Sequence, residues 1–173
     1  MFTFSQRSRD RMKGLHPDLV AVMDLAIQRS PIDFTVLEGL RSEARQRLLV
    51  AKGASKTMNS RHLTGHAIDV APLVDGRVSW DWPLYHKIAP VIKQAAKELG
   101  VSLEWGGDWR SFKDGPHWQL SWGVYNKDDM TPRARKQVVT AQEVNEDYTR
   151  WTDEPKPAKP TGFIAWLLSF FNR

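Results

Sequence analysis

The stretch Ser60-Arg61-His62-Leu63-Thr64-Gly65-His66-Ala67-Ile68-Asp69-Val70-Ala71-Pro72 decides how the chain folds. Residues 67–71 alternate and are closed by proline, which predicts a β-strand with Ile68 and Val70 on one face and Ala67, Asp69 and Ala71 on the other. Asp69 therefore points away from its apolar neighbours. Gly65 can turn the chain without a Cβ penalty, which brings His62 to the entry of that strand. A second run, Lys113-Asp114-Gly115-Pro116-His117-Trp118-Gln119-Leu120-Ser121-Trp122, also alternates. It predicts a strand over 117–122 with His117, Gln119 and Ser121 on one face and Trp118, Leu120 and Trp122 on the core side.

Working outward, Leu19, Val22, Met23, Ala26 and Ile27 recur at helical spacing until Pro31. Pro17 suits the first turn of that helix and Asp18 its positive end. Phe34, Val36 and Leu37 form a short strand running into Glu38-Gly39-Leu40-Arg41-Ser42, and 42–52 is a charged helix. Residues 53–61 form a polar loop and Asp75-Gly76 a turn. Ile88, Val91, Ile92, Ala95, Ala96 and Leu99 mark a long amphipathic helix that Gly100 ends and Pro90 can kink. Residues 101–105 read as another strand. Helices come first and between strands, so the fold class is α+β with a small antiparallel sheet.

The chain has 173 residues, one domain with a little left over. Residues 1–130 form the expected domain, 131–152 a polar helical extension, 153–160 a Pro/Lys linker of extended character and 161–173 an apolar segment. That last segment is too short to span a bilayer as a helix. Its aromatic residues suit docking on the domain, weak contact with a membrane surface or a partner. With no cysteine, disulfides, thiol nucleophiles and cysteine metal sites are excluded, and any metal must use histidine and carboxylate. The net charge of +5 suits anionic partners and solubility alike. No nucleic-acid-binding signature accompanies it. The first residues lack the apolar run of a secretory leader, so synthesis in the cytoplasm is expected.

Paired strands carrying Asp69 and His117 on a common face, with His62 at the strand entry, give a His–Asp–His set that leaves a fourth position for water, as in catalytic zinc sites. His66 is the rival to His62. Asp114 precedes a Gly-Pro turn that can fold its carboxylate over the metal, and is the general base. Arg41 and Ser60 are candidates to anchor a substrate carboxylate or carbonyl. His16 and His86 read as capping and packing residues, Asp108 as a loop residue or a support for His117, and most tryptophans as core, with Trp109 a candidate for the groove mouth.

Ser-x-His-x-x-Gly-x-Ala-x-Asp at 60–69, Trp-Gly-Gly-Asp-Trp at 105–109 and Asp-Gly-Pro-His-Trp-Gln-Leu at 114–120 resemble the D-alanyl-D-alanine carboxypeptidase-like zinc peptidases. Within them the chain is most similar to phage endolysins that are L-alanyl-D-glutamate endopeptidases. The resemblance runs over roughly residues 8 to 125 and includes His-Pro-Asp-Leu-Val at 16–20, Glu-Gly-Leu-Arg-Ser at 38–42 and the loop at 53–62. It implies Zn2+ on His62, Asp69 and His117, catalysis by Asp114, Arg41 on the substrate side, and a central antiparallel sheet with flanking helices. Dipeptidase and carboxypeptidase relatives carry Glu where this chain has Asp114.

The resemblance further implies a monomeric enzyme that cuts the L-Ala–D-Glu amide of the peptidoglycan stem peptide, made in the host cytoplasm and acting on the wall after release. A D-Ala-D-Ala or L,D-carboxypeptidase, and a peptidoglycan-binding module using zinc structurally, are the alternatives.

Overall fold

The computed structural model describes residues 1–133. The expected linker and apolar segment, and the extension beyond Arg133, lie outside the described residues. Four helices, α1 (Gln6–Arg11), α2 (Pro17–Arg29), α3 (Glu43–Ala51) and α4 (Trp82–Leu99), accompany five strands, β1 (Phe34–Glu38), β2 (Ala67–Val74), β3 (Arg77–Val78), β4 (Leu103–Trp105) and β5 (His117–Leu120). The main sheet is antiparallel in the order β1-β2-β5-β4, and β3 closes a hairpin onto β2. The α+β class read from the sequence holds. No described helix is long and apolar enough to cross a membrane.

The alternation of the strands separates a dry face from a chemical one. Phe34 and Val36 of β1, Ile68 and Val70 of β2, and Trp118 and Leu120 of β5 are all buried. They pack with the apolar stripes of α2 (Leu19, Val22, Met23, Ala26) and α4 (Ile88, Ile92, Ala95) in one core. Trp105 of β4 stacks on Trp118 with ring centroids 5.6 Å apart and donates its indole N–H to Gly115 O at 2.7 Å, fixing the loop before β5. On the opposite face the register sets Asp69 across from His117, and Glu104 across from Gln119. A bulge between Val36 and Glu38 brings Glu38, instead of Leu37, opposite Asp69.

β2 runs on through Pro72 to Val74, where the sequence reading has the proline close it, and two further details depart from that reading. β5 ends at Leu120, so Trp122 lies past the strand and 45% exposed instead of in the core. There its ring receives the Arg61 guanidinium, 4.4 Å from the centroid. The alternation 118-120-122 continued in sequence after the ladder had stopped. The second is α1, a six-residue, arginine-rich turn too short to show helical periodicity, capped by Ser5 Oγ, which accepts the Ser8 amide at 3.3 Å.

His16 caps α2 as read from the sequence: its Nδ1 accepts the Asp18 amide at 3.1 Å. Its own amide donates to Gly65 O at 2.8 Å, so the entrance to α2 is pinned against the turn before β2. Gly65 has φ 71°, and a Cβ there would come within 2.3 Å of Gly14 O. Gly65→Ala combines left-handed strain of about 1 kcal/mol or more with a backbone overlap, and should cost more than about 2 kcal/mol. A drop of several degrees in Tm, measured on metal-free protein, checks this.

Candidate active site

Each member of the predicted cluster sits on a different device. His62 lies on a 3-10 turn, Arg61–Thr64, which Ser60 caps by accepting the His62 amide at its Oγ (3.4 Å). The turn is held from beneath by Arg61, buried, whose guanidinium donates to the carbonyls of Leu120, Ser121 and Tyr125. Asp69 stands on β2 and His117 at the start of β5, paired across the ladder. Both histidines are buried, whereas the Asp69 side chain is 19% exposed, so the cluster meets solvent on the carboxylate side.

His62 Nε2, His117 Nδ1 and Asp69 Oδ1 form a triangle with sides of 3.2 Å, 3.1 Å and 3.3 Å. The hydrogen bonds on the far sides of the rings fix how the imidazoles face it. His62 Nδ1 lies 2.8 Å from Gly39 O, and a carbonyl only accepts, so Nδ1 carries the proton and Nε2 turns a lone pair inward. His117 Nε2 lies 3.1 Å from Gln119 Oε1 and donates to it, leaving the Nδ1 lone pair inward. Three electron pairs thus converge with no hydrogen among them, an arrangement that requires a cation. A tetrahedral ion with bonds of about 2.0–2.1 Å has donor–donor edges of about 3.3 Å, and the observed triangle fits it. These three residues can hold a metal ion.

The charges follow. Burial pushes the Asp69 carboxyl up, but in the metal-free site a proton taken up by the imidazoles outweighs it: the His62 and His117 charges, and the N–H that such a proton turns toward the carboxylate, hold the group well below the usual carboxylate range. Burial pulls His117 down, and its bond to Asp69 with the charges of Asp69 and Asp114 more than reverses this. Asp114 is raised to about 6, first by burial and then by the Asp69 charge. Its loop is seated on Gly106, where the Asp114 amide donates to Gly106 O at 3.0 Å and a Cβ would come within 2.5 Å of Asp114 O. A carboxyl poised near neutrality beside a metal-ligand triangle is suited to moving protons.

Arg41 lies beside Asp69 with its side chain buried. Nη2 pairs with Glu38 and approaches Asp69 Oδ2 at 3.5 Å, while Nη1 donates to Gln46 Oε1 at 2.7 Å. The fully buried Gln46 in turn donates to Ser55 Oγ and Thr57 O, tying the 53–60 loop to the back of the site. The sequence reading did not single out Gln46; polarity at a buried position of α3 was its only signal. Trp109 stands with its ring 5.2 Å from that of His117, at the edge of the cluster.

His66 is not part of the triangle. It is fully buried, with Nδ1 2.7 Å from Thr64 O and Nε2 3.1 Å from Asp129 O, so it joins the turn to the 122–133 segment. Asp108 is exposed and pairs with Lys93 of α4 at 2.7 Å, not with the His117 strand. His86 packs on Trp82 and Trp105.

Three residues that could hold a metal ion, with an acid alongside, on a small antiparallel sheet, fit the pattern of a mononuclear metal hydrolase. Comparison with known proteins narrows this class. A profile of the family described as phage L-alanyl-D-glutamate peptidase matches residues 1–120, and the chain belongs to that family. The L-alanyl-D-glutamate peptidase of Escherichia phage T5 is 34% identical over 129 residues, 72% of this chain and 93% of that protein. The peptidoglycan L-alanyl-D-glutamate endopeptidase CwlK of Bacillus subtilis (strain 168) is 34% identical over 124 residues, 61% of this chain and 73% of its own length. Among solved structures, the Serratia marcescens L-Ala D-Glu endopeptidase ChiX superposes with a TM-score of 0.67 at 50% identity, covering 70% of this chain and 92% of that one.

Proposed function

We propose that the chain is a zinc-dependent peptidoglycan endopeptidase that hydrolyses the L-Ala–D-Glu bond of the stem peptide. The observation that carries this reading is the triangle of inward lone pairs on His62, Asp69 and His117 with Asp114 beside it, in a chain whose relatives bear that activity in their names. Nitrogen and carboxylate donors in a tetrahedral set suit zinc among the common divalent ions. Zinc held by the three residues supplies Lewis acidity toward the scissile carbonyl and an attacking water.

The remaining steps belong to side chains. The Asp114 carboxylate takes a proton from the water as its oxygen bonds to the L-Ala carbonyl carbon. The same carboxyl then gives that proton to the D-Glu nitrogen as the C–N bond breaks. Burial, which raises its proton affinity in the metal-free site, works against the pull of a nearby cation and favours both roles, because a carboxyl of ordinary acidity is a poor donor to an amine at neutral pH. Arg41 is assigned to a substrate carboxylate, its charge lying beside Asp69, the member of the cluster that meets solvent. Ser60 accepts the His62 amide and retains its O–H as a donor for a substrate carbonyl. Trp109 offers an aromatic edge at the rim.

A monomer is the state we assign, in keeping with a cluster that needs no residue from a second chain. Synthesis inside a host cell followed by release to the wall is the setting we assign, in line with the phage relatives. Weak membrane contact through 161–173 is a separate proposal, supported by its aromatic content.

Mass spectrometry of digested peptidoglycan tests the activity. New D-Glu amino termini, lost on chelation and restored by zinc, are expected. Release of free D-Ala instead defines a carboxypeptidase, and undigested wall of several chemotypes overturns the enzymatic reading.

A further inference from the structure

The ligand triangle depends on His117 presenting Nδ1 inward, and the chemistry of the imidazole does not choose that by itself. A histidine on a strand has two tautomers of similar energy, and the wrong one would place an N–H among the other donors. On the face away from the triangle, His117 Nε2 meets Gln119 Oε1 at 3.1 Å, and Gln119 Nε2 donates to Glu104 Oε2 at 2.9 Å. The three residues are set by the sheet itself: Gln119 is two residues beyond His117 on the same face of β5, and Glu104 is its cross-strand partner on the edge strand β4.

A side-chain amide can flip, exchanging its oxygen and nitrogen, and a flipped Gln119 would donate to His117 Nε2 and force the proton onto Nδ1. Glu104 forbids the flip, because an ionised carboxylate only accepts and would then face the Gln119 oxygen at hydrogen-bond distance. The edge carboxylate thus sets the amide, the amide sets the tautomer, and the tautomer sets the direction of the lone pair. His62 uses a different device, a backbone carbonyl that cannot flip.

We propose that Gln119 and Glu104 are positioning residues that lock His117 in its metal-binding tautomer, so that Glu104, on the edge strand and outside the ligand set, controls metal affinity. Outer hydrogen bonds of this kind typically account for about 10–100-fold in metal affinity. The inference rests on the reading of His62, Asp69 and His117 as a zinc site.

The test measures zinc dissociation constants of the full chain by competition with a chromophoric chelator, together with the 15N shifts of the His117 ring. Glu104→Ala and Gln119→Leu should each weaken zinc binding by about 10–100-fold. At a pH high enough to keep His117 neutral in the metal-free chain, the His117 ring of Glu104→Ala should shift toward the Nδ1–H form while the His62 ring keeps Nδ1–H. Gln119→Glu alone, which sets two carboxylates against each other, should also bind weakly. Combining it with Glu104→Gln reverses the relay, since the carboxylate now accepts from His117 and the amide donates to it, and should restore affinity to within a few-fold of wild type.

A merely structural pair would give no such rescue and no change of tautomer. Should Gln119→Leu fail to fold, the half-buried Glu104 on the edge strand still supplies the measurement. A Glu104→Ala protein whose zinc affinity lies within twofold of wild type, with an unchanged His117 ring, overturns the relay. A wild-type chain that binds no zinc instead overturns the metal-site reading itself.

Discussion

Asp114→Asn should slow hydrolysis of the stem peptide by roughly 10²–10⁴-fold while leaving zinc bound. Asparagine keeps the shape of the side chain and the loop seated on Gly106, and touches none of the three ligand atoms. What it removes is the carboxyl beside the triangle whose proton affinity is raised. Asp69 is held ionised by the imidazoles, whereas Asp114 is raised to about 6 by burial and by the Asp69 charge. Metal content by mass spectrometry, beside kcat/KM, separates a lost base from a lost metal.

Two further results follow from the same carboxyl. An active enzyme needs Asp114 ionised, so kcat/KM falls as the pH drops through its pKa. Because a dication alongside lowers that value, the acid limb lies below pH 6 and is absent from the residual activity of the variant. Stability moves in the opposite direction from activity. A carboxyl whose folded value exceeds its unfolded value is destabilising once the pH is high enough to ionise it, here above about 6. Metal-free Asp114→Asn should therefore melt at or above the wild-type temperature at pH 7, and a lower Tm would contradict the penalty that burial and the Asp69 charge place on the ionised carboxylate.

The sheet and the convergence of His62, Asp69 and His117 were legible because alternation is a local signal. Ile68, Val70, Trp118 and Leu120 report their faces directly, and Asp69 and His117 then share the other face as soon as β2 and β5 pair. The choice between His62 and His66 was not legible from spacing. It is made by the left-handed Gly65, after which the chain reverses, so that His62 faces Gly39 and His117 while His66 faces Thr64 and Asp129. The bulge that puts Glu38 opposite Asp69 left no mark in the residue pattern, since one inserted residue changes register without changing composition. Contacts distant in sequence were equally silent: Arg61 holding the end of β5, and Gln46 joining Arg41 to the 53–60 loop. Trp122 shows the converse error, where alternation outlasts the hydrogen-bonded ladder that gives it meaning.

Chelation should abolish activity and lower the melting temperature, and zinc should restore both. The reason is the cluster's own geometry, in which donor atoms 3.1–3.3 Å apart turn lone pairs toward one another. Without a metal, a proton takes the metal's place, and this is why His117 is raised while Asp69 is lowered. Zinc at about 100 times its dissociation constant adds about 2.7 kcal/mol to the unfolding free energy. The increment depends on pH with a definite sign. His117, raised in the metal-free fold, contributes stability that is present below its unfolded value and lost as the pH rises through its folded one. Zinc must displace that proton, so its affinity falls by about tenfold per pH unit once His117 is protonated. At a fixed zinc concentration the zinc-induced rise in Tm should therefore shrink steadily from pH 8 to pH 6, and vanish in Asp69→Ala at either pH. A rise that is independent of pH would mean that zinc binds elsewhere on the chain.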